Sequence, residues 1–223
     1  MPLFIVREGE GEKEAMPALV NKLGLYYGFD LPHHSADRHS WKRLVVTERQ
    51  VVDTCELARR TPGCKALLIT RDADNDQQGP DCPRFKAPEA ARWARALNLP
   101  FPVALVMFYK EFETLFLAGA GGMAGQPVRN RHGVEVATIA SQAASHPSPE
   151  HPPHPKGWVS THLLPGSGYK PTIFQAPLTR LLDPAAMEAS GLSSYRRLVS
   201  ALRFLAENLG VTGAVYPPAR EGA

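Results

Sequence analysis

Three aspartates at alternate positions, Asp72, Asp74 and Asp76, follow directly on the apolar run in "ALLITRDADND". Carboxylates this close repel one another, and each resists ionising beside its neighbours. Such a run is either a solvated turn or a seat for a cation. The spacing begins like a calcium loop, but that loop needs Gly at its sixth position and Glu at its twelfth, where this chain has Gln77 and Pro83. A strand-ending Asp-x-Asp also serves aspartyl phosphotransferases, whose first Asp attacks phosphorus. Their motif sits on the first strand, whereas this one sits later and continues with Asn75. A second acidic strand end, Glu8 in "PLFIVREGE", offers a fuller account. In open α/β sheets ligands gather at the carboxyl ends of the strands, so neighbouring parallel strands would bring Glu8, Asp72 and Asp74 together. A few carboxylates with room for water and substrate phosphate is what Mg²⁺ takes. Asp76 is a further candidate ligand from the same run, with a solvated turn as its alternative; Glu10 and Glu14 read as helix-start charges.

Other chemistries find less support. Gly119, Gly121 and Ala124 match the dinucleotide fingerprint in form, but a helix pattern precedes them and "QPVRNRHG" makes a poor helix after them, so the stretch reads as a loop. His146, His151 and His154 are separated by prolines and have no Cys nearby, which suits a polar linker better than zinc. There is no Walker loop and no Gly-x-Ser-x-Gly elbow. The three cysteines, Cys55, Cys64 and Cys82, lack metal-type pairing and read as reduced thiols of a cytoplasmic protein. No apolar run approaches the roughly 20 residues of a membrane span, and no secretory leader is expected. A net charge of +3 permits nucleic-acid binding without arguing for it.

The elements that must position these acids follow from periodicity. "PLFIVRE", "CKALLITRD" and "FPVALVMFYK" read as buried strands. Helical patterns follow them: one with Ala15, Leu19, Val20 and Leu23 on one face, one near 47–60, and "KAPEAARWARALNL". Alternating strand and helix predicts a mostly parallel α/β sheet. "EFETLFLA" reads as a short helix, residues 119–160 as a Gly-rich then Pro/Ser/His-rich insertion or loop, and 161–223 as a C-terminal helical segment packed on the 1–118 core. Its main helix carries Tyr195, Leu198, Val199, Leu202, Leu205 and Leu209 on one face, with Gly210 as the stop.

"FIVREGEGE" followed by "LLITRDADND" resembles the TOPRIM arrangement, the metal-dependent phosphodiester domain of topoisomerases, primases and overcoming-lysogenization-defect nucleases. "VREGEGEKEAMPALVNKL", "DADND" with "CP" soon after, "KEFETLFLA", "YKPT" and "SYRRLVSALRFL" resemble, in order along most of the chain, the TOPRIM-like bacterial family called domain-of-unknown-function family 4276. Arg7 departs from the aliphatic residue that commonly precedes Glu-Gly, and the Pro/His insertion is particular to this chain.

The resemblance implies a Rossmann-like TOPRIM fold in which Glu8 is a metal ligand or general acid/base and Asp72 and Asp74 bind metal. It adds Glu12, one turn beyond Glu8, as a second acid, and Glu113, which with Glu111 follows the third strand, as an extra ligand. Lys170 in "YKPT" and Arg197 in "YRRL" become candidate transition-state cations. The implied activity is Mg²⁺- or Mn²⁺-dependent hydrolysis of nucleic acid, DNA before RNA, by a cytoplasmic anti-phage defence protein with an ATPase partner, and with a homodimer as a further expectation. Two alternatives stay open: a non-catalytic TOPRIM-like subunit, and an aspartyl phosphatase using Asp72.

Overall fold

Apolar, β-branched runs form the centre of the molecule. In the computed structural model, which describes residues 3–31, 34–40, 46–73, 83–151 and 154–219, β1 (Leu3–Arg7), β3 (Ala66–Asp72) and β4 (Val103–Phe108) are buried along nearly their whole length. They have no polar alternation because helices cover both faces of their sheet. The sheet has the order β2-β1-β3-β4-β7 and every pairing is parallel, with β2 (His34–Ser40) at one edge and β7 (Val215–Tyr216) at the other.

Successive strand residues feed two separate cores. Leu3, Ile5, Leu68, Val106 and Phe108 pack with α1 (Glu12–Tyr27), α4 (Thr114–Met123), α6 (Pro171–Leu181) and α8 (Ser193–Glu207). Phe4, Val6, Leu67, Ile69 and Leu105 pack with α2 (Glu48–Arg60) and α3 (Pro83–Ala96). The α1 face is the expected one: Ala15, Leu19, Val20 and Leu23 are buried, and Gly28 ends the helix at φ 70°. Thr47 caps α2 through a reciprocal capping box with Gln50. No helix among the described residues is long and apolar enough to cross a membrane.

Residues 119–160 differ from the expected loop. Gly119–Met123 continue α4, and the chain then forms a hairpin of β5 (Pro127–Arg129) and β6 (Glu135–Thr138). One of these glycines serves packing. A Cβ at Gly119 would lie 2.6 Å from the Leu182 side chain and 3.2 Å from Met187 Sδ, so glycine lets α4 approach α7 (Pro184–Ala189) closely. After irregular backbone tied by the His146 N–H to the Leu117 carbonyl, α5 (Pro155–Trp158) runs into a π-helical turn, Val159–Leu163. Leu209 is a smaller correction: it lies beyond the end of α8 and is exposed.

Candidate metal centre

The strand order reverses between β1 and β3: the chain leaves β1 for β2 on one side and returns to β3 on the other. That reversal opens a crevice at the carboxyl ends of the two strands, the usual place for a ligand in an open α/β sheet. Glu8 follows β1 and Asp72 ends β3. The Asp72 backbone N–H donates to Glu8 Oε2 at 3.0 Å, and the Phe112 N–H donates to Asp72 Oδ1 at 2.8 Å. The ends of β1 and β3 and the loop after β4 are thereby tied together.

Two more carboxylates enter from helix starts. Glu12, the first residue of α1, turns back so that its Oε1 accepts the Gly9 N–H at 3.2 Å. Glu113, at the start of α4, accepts the Tyr169 hydroxyl on Oε1 at 2.8 Å. Gly11 allows α1 and α6 to meet beside them, since a Cβ there would stand 2.1 Å from Gln175 Oε1 and 2.7 Å from Pro171 Cβ. Glu8, Glu12, Asp72 and Glu113 line one cavity of about 300 Å³ together with Lys156.

The electrostatics are those of a site short of positive charge. Burial, opposed by the Gly9 hydrogen bond and reinforced by Glu113 and Glu8, raises the Glu12 carboxyl to about 8. Burial and the charges of Glu12, Glu113 and Glu8 push Asp72 well above the carboxylate range. Burial also raises Glu113, against the pull of Lys156 and Tyr169. Although burial disfavours its charge, Lys156 is held above its ordinary value by Glu113 and Glu111. Its Nζ lies 2.8 Å from Glu111 Oε1 and 4.0 Å from Glu113 Oε2. Arg71, buried in β3, brings its Nε to 3.9 Å from Glu8 Oε2.

These donors fit a hard divalent cation in their chemistry. Glu12 Oε2 and Glu113 Oε2 are buried and accept no hydrogen bond, which is costly unless a cation or a proton satisfies them. Among the described residues no group of three His, Cys, Asp or Glu side chains is already arranged to hold a metal ion, so the fit rests on donor type and on these two oxygens. Asp74, Asp76 and Cys82 lie outside the described residues.

The two expected cations are placed elsewhere. Lys170 is exposed at the start of α6, and Arg197 is half-buried on α8 with its Nη2 3.3 Å from Ser194 Oγ; neither lines the cavity. Lys156, Tyr169 and Arg71 take part instead, and sequence reasoning missed all three. Arg71 had a signal, a charge at the end of a buried run. Lys156 had none, since it adjoins the Pro/His stretch that reads as linker. Glu14 stays a helix-start charge paired with Arg131 and Arg180, whereas Glu10, exposed and paired with Arg7, also lines the acid cavity. Burial pushes the Cys55 and Cys64 thiols up to about 12 and about 11, so neither is a nucleophile at neutral pH.

Compared with protein-family models, with curated proteins and with solved structures, the chain has no match in any of the three.

Proposed function

We propose that this chain is a TOPRIM-like, divalent-metal-dependent phosphodiester hydrolase acting on nucleic acid, related to domain-of-unknown-function family 4276. One observation carries the reading. Glu8, Glu12, Asp72 and Glu113, from four separate chain positions, converge on one cavity at the strand-order reversal, and two of them present unsatisfied oxygens.

Glu8, Asp72 and Glu113 would hold Mg²⁺ or Mn²⁺, with Asp74 and Asp76 as further ligands by sequence position. When bound, the ion supplies the Lewis-acid charge that hydrolysis needs at the attacking and leaving oxygens. The protein's own groups do the rest. The Asp72 N–H orients Glu8, the Tyr169 hydroxyl fixes Glu113, and Lys156 adds positive charge where non-bridging phosphate oxygens would lie. Glu12, whose buried Oε2 accepts no hydrogen bond, would join Glu8, Asp72 and Glu113 as a further ligand.

A second groove of about 510 Å³ shares Glu10, Gly11 and Thr172 with the acid cavity and carries Lys13, Arg131 and Arg180. A polyanion leaving the cavity would run along it. An ATPase partner and a homodimer belong to the same proposal. The alternative of a non-catalytic subunit draws on one feature of this groove: Glu14 engages both Arg131 at 3.6 Å and Arg180 at 3.4 Å, which blunts its positive charge.

Supercoiled plasmid incubated with the purified protein and Mg²⁺ or Mn²⁺ tests the reading. Nicking that requires the metal and is lost in Asp72→Asn is the expected result. The asparagine keeps an oxygen to accept the Phe112 N–H, so the fold survives. Cutting that persists in the variant overturns the site assignment, and no cutting by either protein favours the non-catalytic subunit.

A further inference from the structure

Lys156 is the one lysine that lines the acid cavity among the described residues, and it arrives from an unexpected direction. It sits on α5, just after the Pro/His-rich stretch. That short helix is well anchored. Pro155 is buried, and the Trp158 ring stacks on His162 with centroids 4.8 Å apart and is met edge-on by His146 at 5.8 Å. From this anchored element the half-exposed Lys156 side chain reaches Glu111 at 2.8 Å and Glu113 at 4.0 Å.

That place has a chemical meaning. Two-metal phosphodiester sites hold their ions about 4 Å apart, with carboxylates flanking both. Here the Asp72 N–H bonds Glu8 Oε2 and the Phe112 N–H bonds Asp72 Oδ1, so Asp72 stands between Glu8 and the Glu111–Glu113 loop. Beyond Asp72 on that loop, Lys156 pairs closely with Glu111 and more distantly with Glu113, which leaves Glu113 free to share an ion with Asp72 but gives a second ion no uncompensated carboxylate there. A divalent ion entering there would have to displace an ammonium that has a 2.8 Å bond to Glu111, or sit against its charge in a partly desolvated cavity.

We propose that the Lys156 ammonium is a built-in cation standing in the place of a second divalent ion, so that the site takes one ion per chain. The inference rests on the metal-site reading above and deepens it: this protein works with one exchangeable cation and one covalently tethered cation.

The test is the number of Mn²⁺ ions bound by the full chain, counted by titration calorimetry and by the electron paramagnetic resonance signal of free Mn²⁺. Wild type, Lys156→Gln and Lys156→Arg are compared, with circular dichroism confirming the fold of each. One ion is expected in wild type and in Lys156→Arg, and two in Lys156→Gln, where Glu111 and Glu113 lose their counter-charge. Two ions in wild type overturn the proposal, as does a single ion in a folded Lys156→Gln; the metal-site reading survives both results. If none of the three proteins binds Mn²⁺, the metal-site reading itself falls and takes this inference with it. Should Lys156→Gln fail to fold, the count in wild type still decides.

Discussion

Glu12 should make the metal-free protein lose stability as the pH rises. Its carboxyl is raised from an ordinary 4.5 to about 8, chiefly by burial. Below about 4.5 the group is protonated whether the chain is folded or unfolded, and it favours neither state. Between 4.5 and 8 the unfolded chain has released the proton while the folded chain keeps it, so stability falls with each pH unit and levels off above 8. At ~1.36 kcal/mol per unit, the gap between 4.5 and about 8 amounts to ~5 kcal/mol for this one side chain. Asp72 and Glu113 are raised in the same direction and add to the slope. With about 2.1 cal/mol/K of unfolding entropy per residue over 223 residues, ~5 kcal/mol corresponds to roughly 10 °C in Tm. Thermal unfolding in EDTA from pH 5 to pH 8.5 should show that decline. Glu12→Gln, which keeps an oxygen for the Gly9 N–H and cannot ionise, should match wild type at pH 5 and exceed it at pH 8. Saturating Mn²⁺ should flatten the wild-type profile, because a cation supplies the charge the cluster lacks. A flat wild-type profile in EDTA, or a Glu12→Gln protein weaker than wild type at pH 8, would mean that Glu12 is not buried as a neutral acid.

Two further substitutions probe the supports of the cluster. Tyr169→Phe removes the 2.8 Å bond to Glu113 and should cost ~1.5–3 kcal/mol in urea unfolding, with weaker Mn²⁺ binding because Glu113 is no longer fixed; an unchanged midpoint and affinity would show that Glu113 is held by other contacts. Gly11→Ala drives a Cβ to 2.7 Å from Pro171 Cβ and 2.9 Å from the Pro171 backbone, so α1 and α6 must part. A loss of ~1–3 kcal/mol is expected, read as a lower chemical-denaturation midpoint, and a neutral outcome would mean that the seam between the two helices yields freely.

The centre of the fold was legible in the sequence because its strands have no polar alternation. "LFIV", "ALLIT" and "VALVMF" are nearly continuous apolar runs, and each became a central parallel strand. The edges were not legible. β2 is "HSADRHS", a polar run that no hydrophobic pattern marks, and β7 has only two residues. The glycine-rich stretch reads as a loop although its first part is helical, because the tight approach to Leu182 that calls for Gly119 involves a residue far along the chain. The same distance explains the site. Glu8 and Asp72 end strands and could be paired from topology alone, and Glu12 and Glu113 followed from the resemblance. Lys156 reaches Glu111 across 45 positions, and Tyr169 reaches Glu113 across 56, with no local pattern to announce either contact. Lys170 and Arg197 illustrate the converse, since a basic residue in a matching stretch need not face the acids.

A phosphodiester hydrolase of this kind requires the gathered carboxylates to hold a divalent cation. The most direct measurement is anomalous diffraction from crystals of the protein grown with Mn²⁺. A manganese peak is expected in the cavity between Glu8, Glu12, Asp72 and Glu113, with Glu8 and Asp72 oxygens within about 2.2 Å of the ion. A cavity without manganese at saturating concentration, or an ion bound elsewhere on the chain, would contradict the metal-centre assignment.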